Sequence, residues 1–163
     1  MNAELEAHLA AARNAPAMAE GDSEQRRRER ADFADRFLEM VDSTLKSALD
    51  STAATLRKHG YGATVELVRE RSGADPNSFP YITLYFSPQR CPPADLGYIY
   101  TIAGASVGFI CRRTDLWVEV VVAHPGGRGV ERRVSFSTAS LAELTPERVT
   151  RIVTDAVKQI IKR

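Results

Sequence analysis

The chain has 163 residues, a net charge of +1 at pH 7 and 44% hydrophobic residues. A domain of this size buries roughly 70% of the surface that its unfolded chain exposes, so its core needs neither a disulfide nor a structural metal. The near-neutral charge favours neither nucleic acid nor a membrane surface as a partner. No apolar stretch approaches the ~20 residues of a membrane-spanning helix.

The cysteines and histidines give no sign of a metal or cofactor site. Cys91 and Cys111 form neither a CxxC pair nor a disulfide framework. The three histidines are scattered, whereas zinc ligands are grouped in pairs. We therefore expect no cofactor and no metal. The acidic N-terminus lacks the features of a signal peptide, which predicts a cytoplasmic location, and the heavy use of Ala and Arg is typical of a GC-rich bacterial genome.

Residues 1–22 are predicted to form a flexible arm and linker ahead of a single domain at residues 23–163. Residues 3–13 have the apolar spacing of a helix that is too short to be stable alone. Residues 14–22 have the sequence NAPAMAEGD, which is typical of a linker.

A long helix is predicted from about residue 23 to residue 58. Asp22 or Ser23 can cap its N-terminus, and Gly60 suits the left-handed position that follows a helix C-terminus. The apolar positions recur at three- and four-residue steps and form one wide stripe, made of Phe33, Phe37, Leu38, Val41, Leu45, Ala48, Leu49, Thr52 and Leu56.

Short strands are predicted after this helix, because apolar residues alternate or form short runs. Six segments qualify, at residues 62–70, 80–87, 98–103, 106–112, 116–123 and 130–137. The Pro-rich segment 88–97 is predicted to be a connection, and Gly104 and Gly108 to mark turns or bulges. A second amphipathic helix follows, with Thr145 as its N-cap and Pro146 as its first residue.

The order of helix, strands and helix contains no alternating βαβ units, which favours antiparallel pairing. We predict an α+β fold with a mainly antiparallel sheet of about six strands. The long N-terminal helix and the C-terminal helix are expected to pack on one face of this sheet. The other face must then be polar or covered by a partner.

No catalytic motif stands out, and we predict that the protein is not an enzyme. The sequence HPGGRG at residues 124–129 joins two strands, unlike a phosphate-binding loop ahead of a helix. Nothing in the sequence places a nucleophile beside a histidine base.

The open face of the predicted sheet is the best candidate for binding. If Ile82, Leu84 and Phe86, together with Val134 and Phe136, face the helices, the open face collects most of the tyrosines and the only tryptophan. Such residues are enriched at protein interfaces. The candidate partner-binding residues are Tyr81, Tyr85, Tyr98, Tyr100 and Trp117.

Two functions can use such a face. The first is protein association, as a homo-oligomer or as an adaptor-like, chaperone-like or immunity-like module. The alternative is single-stranded nucleic-acid binding, in which bases stack on sheet aromatics and arginines neutralise phosphates. The arginines available for this are Arg112, Arg113, Arg128, Arg132 and Arg133. We expect the first function, and a self-associating protein without membrane contact.

Overall fold

A computed structural model of the chain describes residues 3–14, 16–69, 79–90, 105–113, 115–126 and 133–161, with side chains for all of these except 8, 11–14 and 16–22. Its helical elements are α1 (Ala3–Asn14), α2 (Pro16–Met40), a π-helical segment (Val41–Leu45), α3 (Lys46–Lys58) and α4 (Pro146–Ile160). A short 3₁₀ turn (Leu141–Glu143) precedes α4. None of the helices in the described part of the chain has both the length and the apolar character needed to cross a membrane.

The predicted long helix is present, but it begins earlier than expected and contains a wider turn. It starts at Pro16, so Asp22 and Ser23 lie inside the helix and do not cap it. The backbone of residues 16–22 is therefore helical, where a linker was predicted. The flexibility of the first 22 residues stays a prediction.

The π-helical segment keeps the apolar stripe of the long helix on one side. Phe37, Val41, Leu45, Leu49 and Ala53 are four residues apart, and all have 0% of their surface exposed. With 3.6 residues per turn, each four-residue step on a regular α-helix drifts by about 40° around the axis. The i→i+5 hydrogen bonds of a π segment widen the turn. This correction returns the later residues of the stripe to the core.

Two helix ends, the C-terminus of α3 and the N-terminus of α4, follow the predicted capping chemistry. Gly60 has a positive φ of 88° directly after α3, as the left-handed position requires. The Thr145 hydroxyl accepts a hydrogen bond from the backbone N–H of Arg148 at 3.3 Å, and Pro146 is the first residue of α4. Both helix boundaries were therefore predicted correctly.

Five strands form one antiparallel sheet in the described part of the chain, and neighbours in sequence are neighbours in the sheet. The strands are β1 (Tyr61–Val68), β2 (Tyr81–Arg90), β3 (Ala105–Arg112), β4 (Trp117–His124) and β5 (Arg133–Ala139). The structure thus confirms an α+β fold with an antiparallel sheet. It contains five strands where about six were predicted, and the expected strand at 98–103 lies outside the described residues.

Two details of the sheet correct the sequence analysis. β2 continues through Pro88 to Arg90, although a connection was predicted there. Pro88 lies beyond Phe86, the last residue of β2 that pairs with a described residue of β3, and such a position near the end of a strand tolerates proline. Gly108 lies inside β3 in regular register, so it marks neither a turn nor a bulge, and Gly104 lies outside the described residues.

The core lies between the helices and one face of the sheet. Alternate residues of β2 and β3 are fully buried on that face, among them Ile82, Leu84, Val107 and Phe109. α3 contacts β1 and β2, and α4 contacts α3 and β3. The buried side chains of the long helix, α4 and the sheet form a single cluster.

Candidate protein-binding face of the sheet

The register of the five strands determines which side chains lie opposite the core. Directly paired residues of antiparallel strands point to the same side, and successive residues alternate. We call the side away from the buried residues Ile82 and Phe109 the open face. Its residues are Thr64, Glu66, Val68, Tyr81, Thr83, Tyr85, Ser106, Gly108, Ile110, Arg112, Trp117, Glu119, Val121, Ala123, Val134, Phe136 and Thr138.

β5 presents its apolar side to the open face, which reverses the prediction. Phe136 pairs with Val121, and Val134 pairs with Ala123, all on the open face. Arg133, Ser135 and Ser137 instead point to the side of the helices, where they are exposed.

The physical reason for this reversal is the limited width of the helical layer. Strands lie about 4.8 Å apart, whereas a helix with its side chains is about 10–12 Å across. Two helices therefore cover roughly four strands. β5 lies beyond that cover, so its side toward the helices meets water and is polar.

The largest exposed apolar side chain of β5 is Phe136, with 66% of its surface exposed. Val134 is 42% exposed beside it, and its partner Ala123 is buried, whereas Val121, the partner of Phe136, is half-buried and extends the apolar surface. We call Phe136, Val134 and Val121 the β4–β5 patch. An exposed aromatic ring with apolar neighbours on a paired strand makes this patch a candidate interaction site.

A second exposed apolar pair lies at the turn between β3 and β4. Leu116 is 42% exposed and Trp117 is 41% exposed. Leu116 has a positive φ of 59°, a backbone conformation that non-glycine residues seldom adopt. Leu116 lines a groove beside α2, on the side of the helices, so only Trp117 of this pair lies on the open face. Glu119 separates Trp117 from the β4–β5 patch along β4.

The predicted aromatic residues are brought together only in part. Tyr81 and Tyr85 lie half-buried on the open face, and Trp117 lies exposed on the same face. Tyr98 and Tyr100 lie outside the described residues. The sequence analysis missed Phe136, the most exposed of the large apolar side chains whose exposure is described.

The predicted arginines do not form one cationic surface in the described structure. Arg112 makes two hydrogen bonds to Glu119, from Nε at 2.8 Å and from Nη2 at 3.0 Å. Its guanidinium also lies over the Phe79 ring, 4.9 Å from the centroid. Arg113 follows the end of β3, and Arg133 lies on the opposite side of the sheet. Arg128 and Arg132 lie outside the described residues.

Glu119 determines the electrostatics of Arg112. The hydrogen bonds that Arg112 donates to Glu119 raise the pKa of the Arg112 guanidinium above its usual value, and burial opposes this with a smaller effect. A guanidinium that is paired in this fork geometry offers little charge to a phosphate. The pair therefore orders the middle of the open face and leaves that region close to neutral.

We expect Glu119→Gln to lower the free energy of unfolding by about 1–2 kcal/mol, because it weakens a partly buried, charge-assisted pair. The matched control is Asp50→Asn, since Asp50 pairs with Lys46 at 2.7 Å on the exposed surface of α3. That change is expected to cost less than about 0.5 kcal/mol. Urea unfolding of both variants measures the difference, and equal losses would show that the Arg112 pair contributes no more than a surface pair.

The described residues offer few other reactive or metal-binding side chains. Cys111 is fully buried, and burial raises the pKa of its thiol to about 11, so it is neutral and unreactive at ordinary pH. Within the described ranges, no three His, Cys, Asp or Glu side chains are grouped as metal ligands would be.

A shallow groove of about 350 Å³ lies between α2, the turn before β4 and the turn after β5. Phe33, Leu116 and Leu141 supply its apolar walls, and Glu29, Asp32 and Arg36 line its α2 side. Small-molecule sites are typically apolar and enclosing. A charged wall of this kind does not have the character of a site for an apolar ligand.

Comparison of the chain with models of protein families, with curated proteins and with solved structures found no match.

Proposed function

We propose that the protein is a non-enzymatic interaction module that binds a protein partner through the β4–β5 patch. The observation that carries this proposal is Phe136, which is 66% exposed on a strand with regular pairing. An aromatic side chain in a rigid strand loses little conformational freedom on binding, so most of its burial energy contributes to affinity.

The surroundings of Phe136 support this proposal. Burying a phenylalanine contributes roughly 1.5–3 kcal/mol, and Val121 and Val134 extend the apolar area around it. Thr138 and Glu119 lie next to the patch on the same face. An apolar centre with a polar rim is the typical arrangement of a binding hot spot.

Single-stranded nucleic-acid binding is supported less well. Tyr81, Tyr85 and Trp117 share the open face and offer rings on which bases can stack. The charge beside them is unfavourable, because Glu66 lies on this face and Glu119 neutralises Arg112. We therefore favour protein binding over nucleic-acid binding.

Native mass spectrometry of the untagged protein, purified from its own host, tests the proposal. We expect the wild type to carry added protein mass beyond 18.0 kDa, and Phe136→Ser to lose it. Ser135→Ala is the matched control, because Ser135 is an exposed neighbour on the opposite side of β5. A bare monomer of the wild type at micromolar concentration, or bound nucleic acid, would overturn the proposal.

A further inference from the structure

β5 forms one edge of the sheet, and no described strand pairs with its outer side. Its pairing with β4 is regular from Arg133 to Ala139. The strand contains no proline, and Arg133 is its only charged residue. Edge strands of monomeric proteins are usually protected against further pairing by charges, prolines or bulges. β5 has one such feature, at its first residue, and the rest of its outer edge has no partner among the described strands.

β1, at the opposite edge of the sheet, is better protected. Its register on β2 shifts between Tyr61 and Ala63, which interrupts regular pairing. Glu66 places a carboxylate in the middle of the strand. The two edges of the same sheet are therefore unequal, and β5 is the edge suited to association.

We propose that the partner is a second copy of this chain, whose β5 pairs with β5 in antiparallel orientation about a two-fold axis at Phe136. Two five-stranded sheets then become one continuous sheet. This inference rests on the proposed function, because it names the partner of the same β4–β5 patch. A two-fold axis perpendicular to the sheet makes the two β5 strands antiparallel and keeps both open faces on the same side.

The sequence of β5 is self-complementary in this register. Phe136 is the central residue of the seven-residue strand Arg133–Ala139, so an axis at Phe136 pairs every residue of the strand. Val134 then opposes Thr138, Ser135 opposes Ser137, and Arg133 opposes Ala139 of the other copy. The two arginines lie at opposite ends of the pair, so no like charges meet.

The side chains of the joined strands add to the backbone pairing. Phe136 meets its own copy across the axis on the open face, and aromatic cross-strand pairs stabilise a sheet. Val121 and Val134 of both copies lie beside them, so two apolar patches merge into one. A single strand pair is a small interface, and we expect a reversible dimer with a Kd on the order of micromolar.

A charge-swap experiment tests both the partner and the register. One chain carries Ser135→Lys and Ser137→Lys, and a second chain carries Ser135→Glu and Ser137→Glu. Both positions are exposed, because β5 lies beyond the strands that the helices cover, so each chain is expected to fold, which circular dichroism checks. In the proposed register, position 135 of each copy lies opposite position 137 of the other copy. In a homodimer of either charged chain, every introduced charge therefore faces a like charge.

Sedimentation equilibrium over a range of concentrations gives the outcome. We expect wild-type dimers of twice 18.0 kDa, a Kd at least roughly tenfold weaker for each charged chain alone, and heterodimers when the two chains are mixed. The inference is overturned if the wild type stays monomeric, if each charged chain alone dimerises as well as the wild type, or if the mixture of the two chains forms no heterodimer.

The two proposals fail in different ways. Suppose that the wild type is monomeric on its own but binds another protein, and that Phe136→Ser loses this complex. That result supports the proposed function and overturns the dimer. A wild type that forms no complex with itself or with another protein overturns both.

Discussion

Phe109→Ala is expected to lower the free energy of unfolding by about 3–5 kcal/mol, whereas Phe136→Ala should change it by less than about 0.5 kcal/mol in dilute protein. Phe109 is fully buried in β3, where it pairs with Ile82 and Val120 on the core side. Its truncation leaves a cavity that the close-packed neighbours cannot fill. Phe136 is the same residue type two strands away, and it is 66% exposed.

Urea unfolding of both variants at low protein concentration measures this contrast. The two midpoints should differ widely while the slopes remain alike, since neither change alters the surface exposed on unfolding by much. Equal losses for the two variants would show that Phe136 belongs to the core and that the open face has been wrongly defined.

The same pair of variants also reports on association. Binding to the folded state alone stabilises it by mass action. The wild type is therefore expected to gain stability as its concentration rises above the dimer Kd, and Phe136→Ala to lose most of that gain. Phe109→Ala should keep the concentration dependence, because β5 is not part of its contact. A wild-type midpoint that does not move with concentration would contradict self-association.

The sequence predicted the parts of the fold that local chemistry determines. Gly60 ends the long helix and Thr145 begins α4, because backbone conformation and capping act over a few residues. The π-helical segment was not predicted, although the repeated four-residue spacing from Phe37 to Ala53 is its signal. Strict four-residue steps over several turns do not fit a straight α-helix.

The faces of the strands could be predicted only where the helices cover them. For β2, the rule that apolar residues face the core placed Ile82 and Leu84 correctly. For β5 the same rule placed Val134 and Phe136 on the wrong side, because the sequence of that strand does not show whether the helices cover it. A one-residue change of register exchanges the two faces. The exposed Phe136 therefore became visible only through the pairing with β4.

The arginines show a second limit of sequence reasoning. Arg112 was a candidate for phosphate binding, but the diagonal neighbour across the β3–β4 hairpin is Glu119. Cross-strand neighbours depend on register and turn length, which spacing along the chain does not give. The structure therefore lowers the number of arginines available to a polyanion on the open face.

Gly108→Ala is expected to destabilise the protein by about 1–3 kcal/mol, because the new methyl group overpacks the sheet. A Cβ at position 108 would lie 2.6 Å from the Thr83 Oγ1 atom and 3.4 Å from its Cβ and Cγ2 atoms. Thr83 pairs directly with Gly108 and is 8% exposed. A β-branched side chain has few rotamers with which to move aside. The glycine is thus required by close approach between β2 and β3.

The test is a double-mutant cycle with Thr83→Ala, measured by urea unfolding. Removing the Thr83 hydroxyl and methyl groups eliminates the contact at 2.6 Å. In that background Gly108→Ala should become neutral or stabilising by up to about 1 kcal/mol, because alanine restricts the unfolded chain more than glycine does. The sign of the Gly108 substitution therefore depends on one neighbour. If Gly108→Ala lowers the free energy of unfolding equally in both backgrounds, the clash with Thr83 is not the cause. That result would contradict the close approach of β2 and β3 at this point.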